Sequence, residues 1–127
     1  MLYVVDTAKD IETATHDLEE AVKRHKFGVL NSLNLQQRMK EKGVDFSNAC
    51  RILEVCNPHQ ASRVLSRNMA VSTALPCRIS VYRDVGRTRI ATILPTAMLA
   101  GFPGSEELKP IAEEVERQIL QMIDEAK

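Results

Sequence analysis

The spacing of the apolar residues changes twice along the chain, and this change restricts the fold more than any other feature. Apolar residues recur at helical spacing over residues 11–25 and again over residues 108–123. Between these segments lie several short runs rich in β-branched residues, separated by capping and turn residues. Strands that cluster between two long helices favour an α+β domain, with a mainly antiparallel sheet and helices packed on one face.

Individual elements follow from the same patterns. A strand at residues 2–6 precedes a helix that is predicted to run from Ile11 to about His25. A short helix capped by Asn34 follows the second strand and precedes the third. The stripe that defines the last helix consists of Leu108, Ile111, Ala112, Val115, Ile119, Met122 and Ile123.

The segment 77–93 predicts a β-hairpin. Gly86 supplies the positive φ angle that a three-residue loop, Asp84–Gly86, requires. The face predicted to meet the helices then carries Cys77, Ile79, Val81, Ala91 and Ile93. The face predicted to meet water or a partner subunit carries Arg78, Ser80, Tyr82, Thr88, Ile90 and Thr92.

The length and composition of the chain predict one domain, residues 1–127, with an aliphatic core. The chain has 44% hydrophobic residues but only three phenylalanines, two tyrosines and no tryptophan. Seventeen basic and seventeen acidic residues cancel, so the net charge gives no general attraction for nucleic acid, which is an unexpected partner. The hairpin arginines, interpreted as a solvated edge rather than a phosphate site, are Arg78, Arg83, Arg87 and Arg89.

Compartment and membrane expectations rest on three further observations. No run approaches the roughly 20 apolar residues of a membrane span. The N-terminal segment lacks the pattern of a signal peptide. Three cysteines, an odd number, are typical of reduced thiols, so we expect a soluble protein of the cytoplasm.

Residues 54–61, EVCNPHQA, combine several chemical groups within a few positions. Asn57 is a favoured N-cap residue and Pro58 suits the first position of a helix. Gln60 lies three residues after the cap. The segment is therefore predicted to be a strand-to-helix junction, and the remaining question is whether it is also a site.

The thiols next to this junction are candidates for a site. Cys56 ends one predicted strand and Cys77 begins the next, so the two would approach each other if these strands are antiparallel neighbours. His59 would then lie nearby on the first turn of the helix. Glu54 lies two residues before Cys56, on the same face of the strand.

Four interpretations of the junction stay open. The first is structural: buried thiols, a solvent-facing imidazole and a capped helix. The second is a reactive or redox thiolate at Cys56, whose pKa a helix N-terminus would lower. The third is a metal site formed by Cys56, His59 and Cys77, although the short C-x2-C and H-x3-H spacings of zinc sites are absent. The fourth is an anion on the backbone amides of residues 58–60.

Two blocks of the sequence resemble a known family. The first block contains Glu54, Asn57, Pro58 and Ala61, and the second contains Leu75, Pro76, Arg78, Val81 and Tyr82. With these blocks, the order of motifs over nearly the whole chain is similar to the bacterial and archaeal domain of unknown function number 302. The resemblance implies an α+β fold of the TATA-binding-protein-like class, with a curved antiparallel sheet in β-α-β4-α order, and a homodimer. It assigns no catalytic residues.

The favoured functional hypothesis is a non-catalytic, dimeric domain that binds a small molecule between sheet and helices, or docks on a partner protein. The alternative is a thiol-centred redox or metal site around Cys56 and Cys77. No nucleophile elbow, Walker loop or dinucleotide fingerprint occurs, so the sequence assigns neither an enzymatic activity nor a cofactor. The candidate site residues are Glu54, Cys56, Asn57, His59, Cys77 and Arg78.

Overall fold

A five-stranded antiparallel sheet organises the computed structural model, which describes all residues from Met1 to Lys127. The strands lie side by side in the order β1-β5-β4-β3-β2. Their bounds are β1 Leu2–Thr7, β2 Gly28–Asn34, β3 Cys50–Cys56, β4 Cys77–Asp84 and β5 Arg87–Ile93. The helices are α1 Ile11–Arg24, α2 Leu35–Glu41, α3 Pro58–Arg67, α4 Pro95–Leu99 and α5 Ser105–Ala126, with a 3-10 helix at Met69–Ala74.

The α+β class is confirmed, and the long elements follow the predicted β-α-β4-α order. Helix α1 begins where the Asp10 side chain accepts a hydrogen bond from the Thr13 amide, at 2.8 Å. Asn34 caps α2 as predicted, accepting from the Gln37 amide at 3.0 Å. None of the helices combines the length and the apolar character that crossing a bilayer requires.

Buried side chains form two hydrophobic clusters. The larger cluster fills the space between the sheet and helices α1 and α5, with Leu18, Ile79 and Ile119 fully buried in it. The smaller cluster joins α3, the 3-10 helix, α4 and the first half of α5. Leu75 and Val115 pack against both clusters, so the boundary between them passes beside these two residues.

The β4–β5 hairpin differs from its predicted register by one residue. Its turn contains two residues, Val85 and Gly86, so that Val81 pairs with Ile90. A shift of one residue exchanges the two faces of a strand. Thr88, Ile90 and Thr92 therefore turn toward the helices, and the predicted assignment of the β5 faces was wrong.

The hairpin also lies in the interior of the sheet rather than at its edge. Strands β1 and β2 are the edges, which corrects the interpretation of the hairpin arginines as a solvated edge. Each of these arginines has a partner within the chain. The partners are Glu54 for Arg78, Thr88 and the Gly86 carbonyl for Arg83, Asp6 for Arg87, and Asp6 with Asp84 for Arg89.

Val85 occupies the left-handed backbone region with φ +50°, and its side chain is 88% exposed. A β-branched residue is unfavourable in this region, whereas asparagine tolerates it in two-residue hairpin turns. We expect Val85→Asn to raise the free energy of unfolding by about 1 kcal/mol. Urea denaturation measures the change, and Val44→Asn, at an exposed valine without positive φ, is the matched control. A destabilised Val85→Asn variant would contradict the prediction.

Candidate functional site

The predicted strand-to-helix junction is present at residues 54–61. Strand β3 ends at Cys56, and Pro58 is the first residue of α3. The Asn57 Oδ1 atom accepts hydrogen bonds from the amides of His59 and Gln60, at 3.0 and 3.1 Å. Pro58 has no N–H group, so the cap occupies both amide donors that residues 58–60 possess, and the anion interpretation loses its donors.

Glu54 and Arg78 form a cross-strand pair on the side of the sheet away from the main helices. They are register partners in β3 and β4, and Arg78 Nε lies 3.4 Å from Glu54 Oε2. Asn31 Nδ2 donates to the other carboxylate oxygen at 3.0 Å. Their neighbours Val55 and Cys77 belong to the core, so Glu54 and Arg78 point away from it.

Cys56 and Cys77 lie close together, as expected for antiparallel neighbours. Strands β3 and β4 pair antiparallel, with Val55 opposite Cys77, and Cys56 is the next residue along. All three cysteines of the chain are free thiols. His59 is exposed to solvent. No group of three or more His, Cys, Asp or Glu side chains is arranged to hold a metal ion, so the proposed metal ligands do not form a site.

The protonation of the two thiols opposes the reactive-thiolate interpretation. Burial raises the pKa of Cys56, the opposite of the shift expected from the helix N-terminus. Burial, followed by the proximity of Cys56, raises the pKa of Cys77 to about 11. Both thiols are therefore held in their protonated, weakly nucleophilic form at neutral pH.

Slow alkylation of Cys77 is the expected consequence. With a pKa of about 11 in place of 9.0, its thiolate fraction at pH 8 falls by about 100-fold. Iodoacetamide labelling followed by peptide mass spectrometry measures the rate at this residue, and the same protein in urea is the control. Equal rates at Cys77 in the folded and unfolded chain would contradict the burial argument.

A cavity of about 40 Å³ lies between the sheet and helices α3, α4 and α5, at the boundary of the two hydrophobic clusters. Its lining contains no charged side chain. The wall on the sheet side consists of Phe27, Val55, Cys56, Asn57, Leu75, Pro76 and Cys77. The helical wall consists of Gln60, Ala61, Val64, Pro95, Met98, Leu99, Ile111, Ala112 and Val115.

Polar contacts hold two of the helices that form this wall. Glu116 of α5 accepts hydrogen bonds from the amide and hydroxyl of Thr96, at 3.1 and 2.6 Å, and so attaches the short helix α4. Gln60 of α3 donates from Nε2 to Gln118 Oε1 of α5, at 3.3 Å. The Gln60 Oε1 atom is buried and has no hydrogen-bond partner.

Comparison with known proteins agrees with this architecture. The chain matches Domain of unknown function DUF302 over residues 3–126. The chain belongs to the DUF302 family. A crystal structure of an uncharacterized conserved DUF302 protein from Bacillus stearothermophilus is similar to it, with a TM-score of 0.92 and 39% identity over 99% of this chain and 98% of that one. Among curated proteins, nothing matches.

In this DUF302 domain, only part of the cavity could be recognised from the sequence. Three of the six candidate residues, Cys56, Asn57 and Cys77, lie in its wall. Glu54 and Arg78 form their own pair, and His59 faces solvent. The contributions of α4 and α5 were missed, because their residues carry only the apolar pattern of ordinary core helices.

Proposed function

We propose that this DUF302 domain binds a small, largely apolar molecule in the cavity between the sheet and helices α3, α4 and α5. The apolar cavity itself carries the proposal. Concave apolar sites with few polar groups are typical of ligand pockets. The position of the cavity between two clusters means that a ligand would contact three helices and the sheet at once.

A neighbouring cleft supports a route of access. This cleft, of about 170 Å³, lies between the 3-10 helix and the ends of β4 and β5, and includes Thr73 and Arg78. Four residues line both the cleft and the cavity and so lie between the two spaces: Leu75, Pro76, Cys77 and Met98. Since methionine is unbranched and flexible, movement of Met98 could join them.

The protonation of the two thiols and the position of His59 favour ligand binding over thiol chemistry. The raised pKa values of Cys56 and Cys77 disfavour a thiolate nucleophile, and His59 faces solvent. In the binding proposal the two thiols act as small apolar wall residues, a role in which free cysteine is common.

Xenon, an apolar probe for protein cavities, provides the test. We expect xenon to shift the NMR methyl resonances of Val64, Ile111 and Val115. Ala61→Leu should fill the cavity and reduce these shifts by about fivefold or more. Ser62→Leu, at an exposed position of the same helix, should leave them unchanged. An absence of xenon-induced shifts in the unsubstituted protein would overturn the proposal.

We also infer that the domain forms a homodimer through the uncovered face of β1 and β5. Leu2, Val4 and Ile93 are 59%, 39% and 48% exposed there, while the alternating residues Tyr3 and Val5 pack against the core. These three residues form one continuous apolar patch across the two strands, because Leu2 pairs with Ile93. Exposed apolar patches are typical of interaction sites, and a net charge of zero does not repel a second copy. Sedimentation velocity tests this, and a monomer at 100 μM would contradict it.

A further inference from the structure

We infer that the ligand of the cavity is a neutral aliphatic molecule with a hydroxyl or amide N–H group, which donates a hydrogen bond to Gln60 Oε1. The inference rests on the proposed function of the cavity. It adds the chemical class of the ligand and the residue that selects it.

Gln60 is held in a defined orientation at both ends. Its backbone amide donates to the Asn57 cap at 3.1 Å. Its side-chain Nε2 donates to Gln118 Oε1 on α5 at 3.3 Å. These two contacts position the side-chain amide in the wall of the cavity, with Nε2 engaged and Oε1 free to accept.

The Oε1 atom is the unusual feature of this wall. It is buried and receives no hydrogen bond, although buried polar atoms in proteins are nearly always paired. A buried acceptor without a donor is unfavourable. A ligand that supplies the donor therefore binds with a more favourable free energy than a similar ligand that lacks one. The other side-chain amide in the wall, Asn57, already accepts two hydrogen bonds as a helix cap.

The remainder of the lining determines the rest of the ligand class. No lining residue carries a charge, so a charged group would be buried without a counterion, which is strongly unfavourable. A volume of about 40 Å³ exceeds the 10–15 Å³ that one water requires, but it is well below the volume of about 150 Å³ at which an engineered apolar cavity binds benzene. A short aliphatic group therefore fits the cavity better than an aromatic ring.

Two isomeric probes isolate the hydrogen bond. Ethanol and dimethyl ether have the same composition and are small, but only the alcohol donates. We expect methyl-resonance NMR titrations to give a dissociation constant roughly three- to tenfold lower for ethanol. Gln60→Leu should remove this preference, with ether binding retained. Gln118→Leu, which frees the Gln60 amide but keeps its oxygen, should reduce the preference without abolishing it.

The possible outcomes separate the inference from the proposed function. If xenon binds but the two probes bind equally, or the ether binds more tightly, the ligand class is wrong and the cavity proposal stands. Failure of both probes to bind also overturns the inference. The same conclusion follows if Gln60→Leu retains the preference for the alcohol. If xenon does not bind, both proposals are wrong.

Discussion

Replacing Ile90 by alanine is expected to lower the free energy of unfolding by about 2–5 kcal/mol. Ile90 is fully buried in the larger hydrophobic cluster, on β5, which pairs with both β1 and β4. Truncation removes buried methyl groups and leaves a space that a strand paired on both sides closes only in part. Urea denaturation monitored by circular dichroism measures the loss.

Ile93→Ala is the matched control, because it makes the same chemical change on the same strand. Ile93 is 48% exposed, so its truncation should cost less than about 1 kcal/mol. Both variants should be measured at several protein concentrations. Dissociation coupled to unfolding makes the midpoint of a dimer rise with concentration, so loss of a dimer contact weakens that dependence, whereas loss of core packing leaves it in place. A larger effect at Ile93 than at Ile90 would mean that the three-residue loop, and not the observed register, is correct.

Val4→Asp is expected to raise the dissociation constant of the proposed dimer by about 100-fold or more. In a two-fold symmetric interface the same patch meets itself, so one substitution places two carboxylates in the interface. Burying an unpaired charge there costs several kcal/mol, and like charges add to this penalty. Val4 is 39% exposed on β1, so the folded monomer should tolerate the change.

Sedimentation velocity over a concentration series measures the effect of Val4→Asp, and circular dichroism checks that the monomer stays folded. Val44→Asp makes the same substitution at an exposed valine outside the sheet, and should leave the association unchanged. Equal dissociation constants for Val4→Asp and the unsubstituted protein would show that this face is not the interface. The cavity proposal does not depend on that result.

The hairpin shows why a local prediction of register failed while the prediction of the element succeeded. Gly86 correctly located the turn, but Val85 also adopts positive φ, which a β-branched residue rarely does. The sequence therefore disfavoured a two-residue turn, which places Val85 at positive φ. Burial of Ile90 against the helices is a tertiary gain that outweighs the strain at Val85.

The junction at residues 54–61 shows the opposite case. Asn57 and Pro58 take the cap and first-turn roles predicted for them, because capping depends on contacts within a few residues. The chemical role of Cys56 could not be read in the same way. Helix position alone predicts a lowered pKa, whereas burial, which depends on distant chain segments, raises it.

The class of fold, the order of the long elements and the caps of α2 and α3 could be predicted from the order of residues, because periodicity and capping are set by residues close in the chain. The family could also be recognised from the sequence, because two blocks of residues in a fixed order resemble it. The face that β5 presents, the pairing of Glu54 with Arg78 and the existence of the cavity depend on contacts between segments remote in the chain, so they became visible in the folded structure alone. The cavity depends on how closely α3, α4, α5 and the sheet approach one another, and that distance results from the packing of side chains that are remote in sequence.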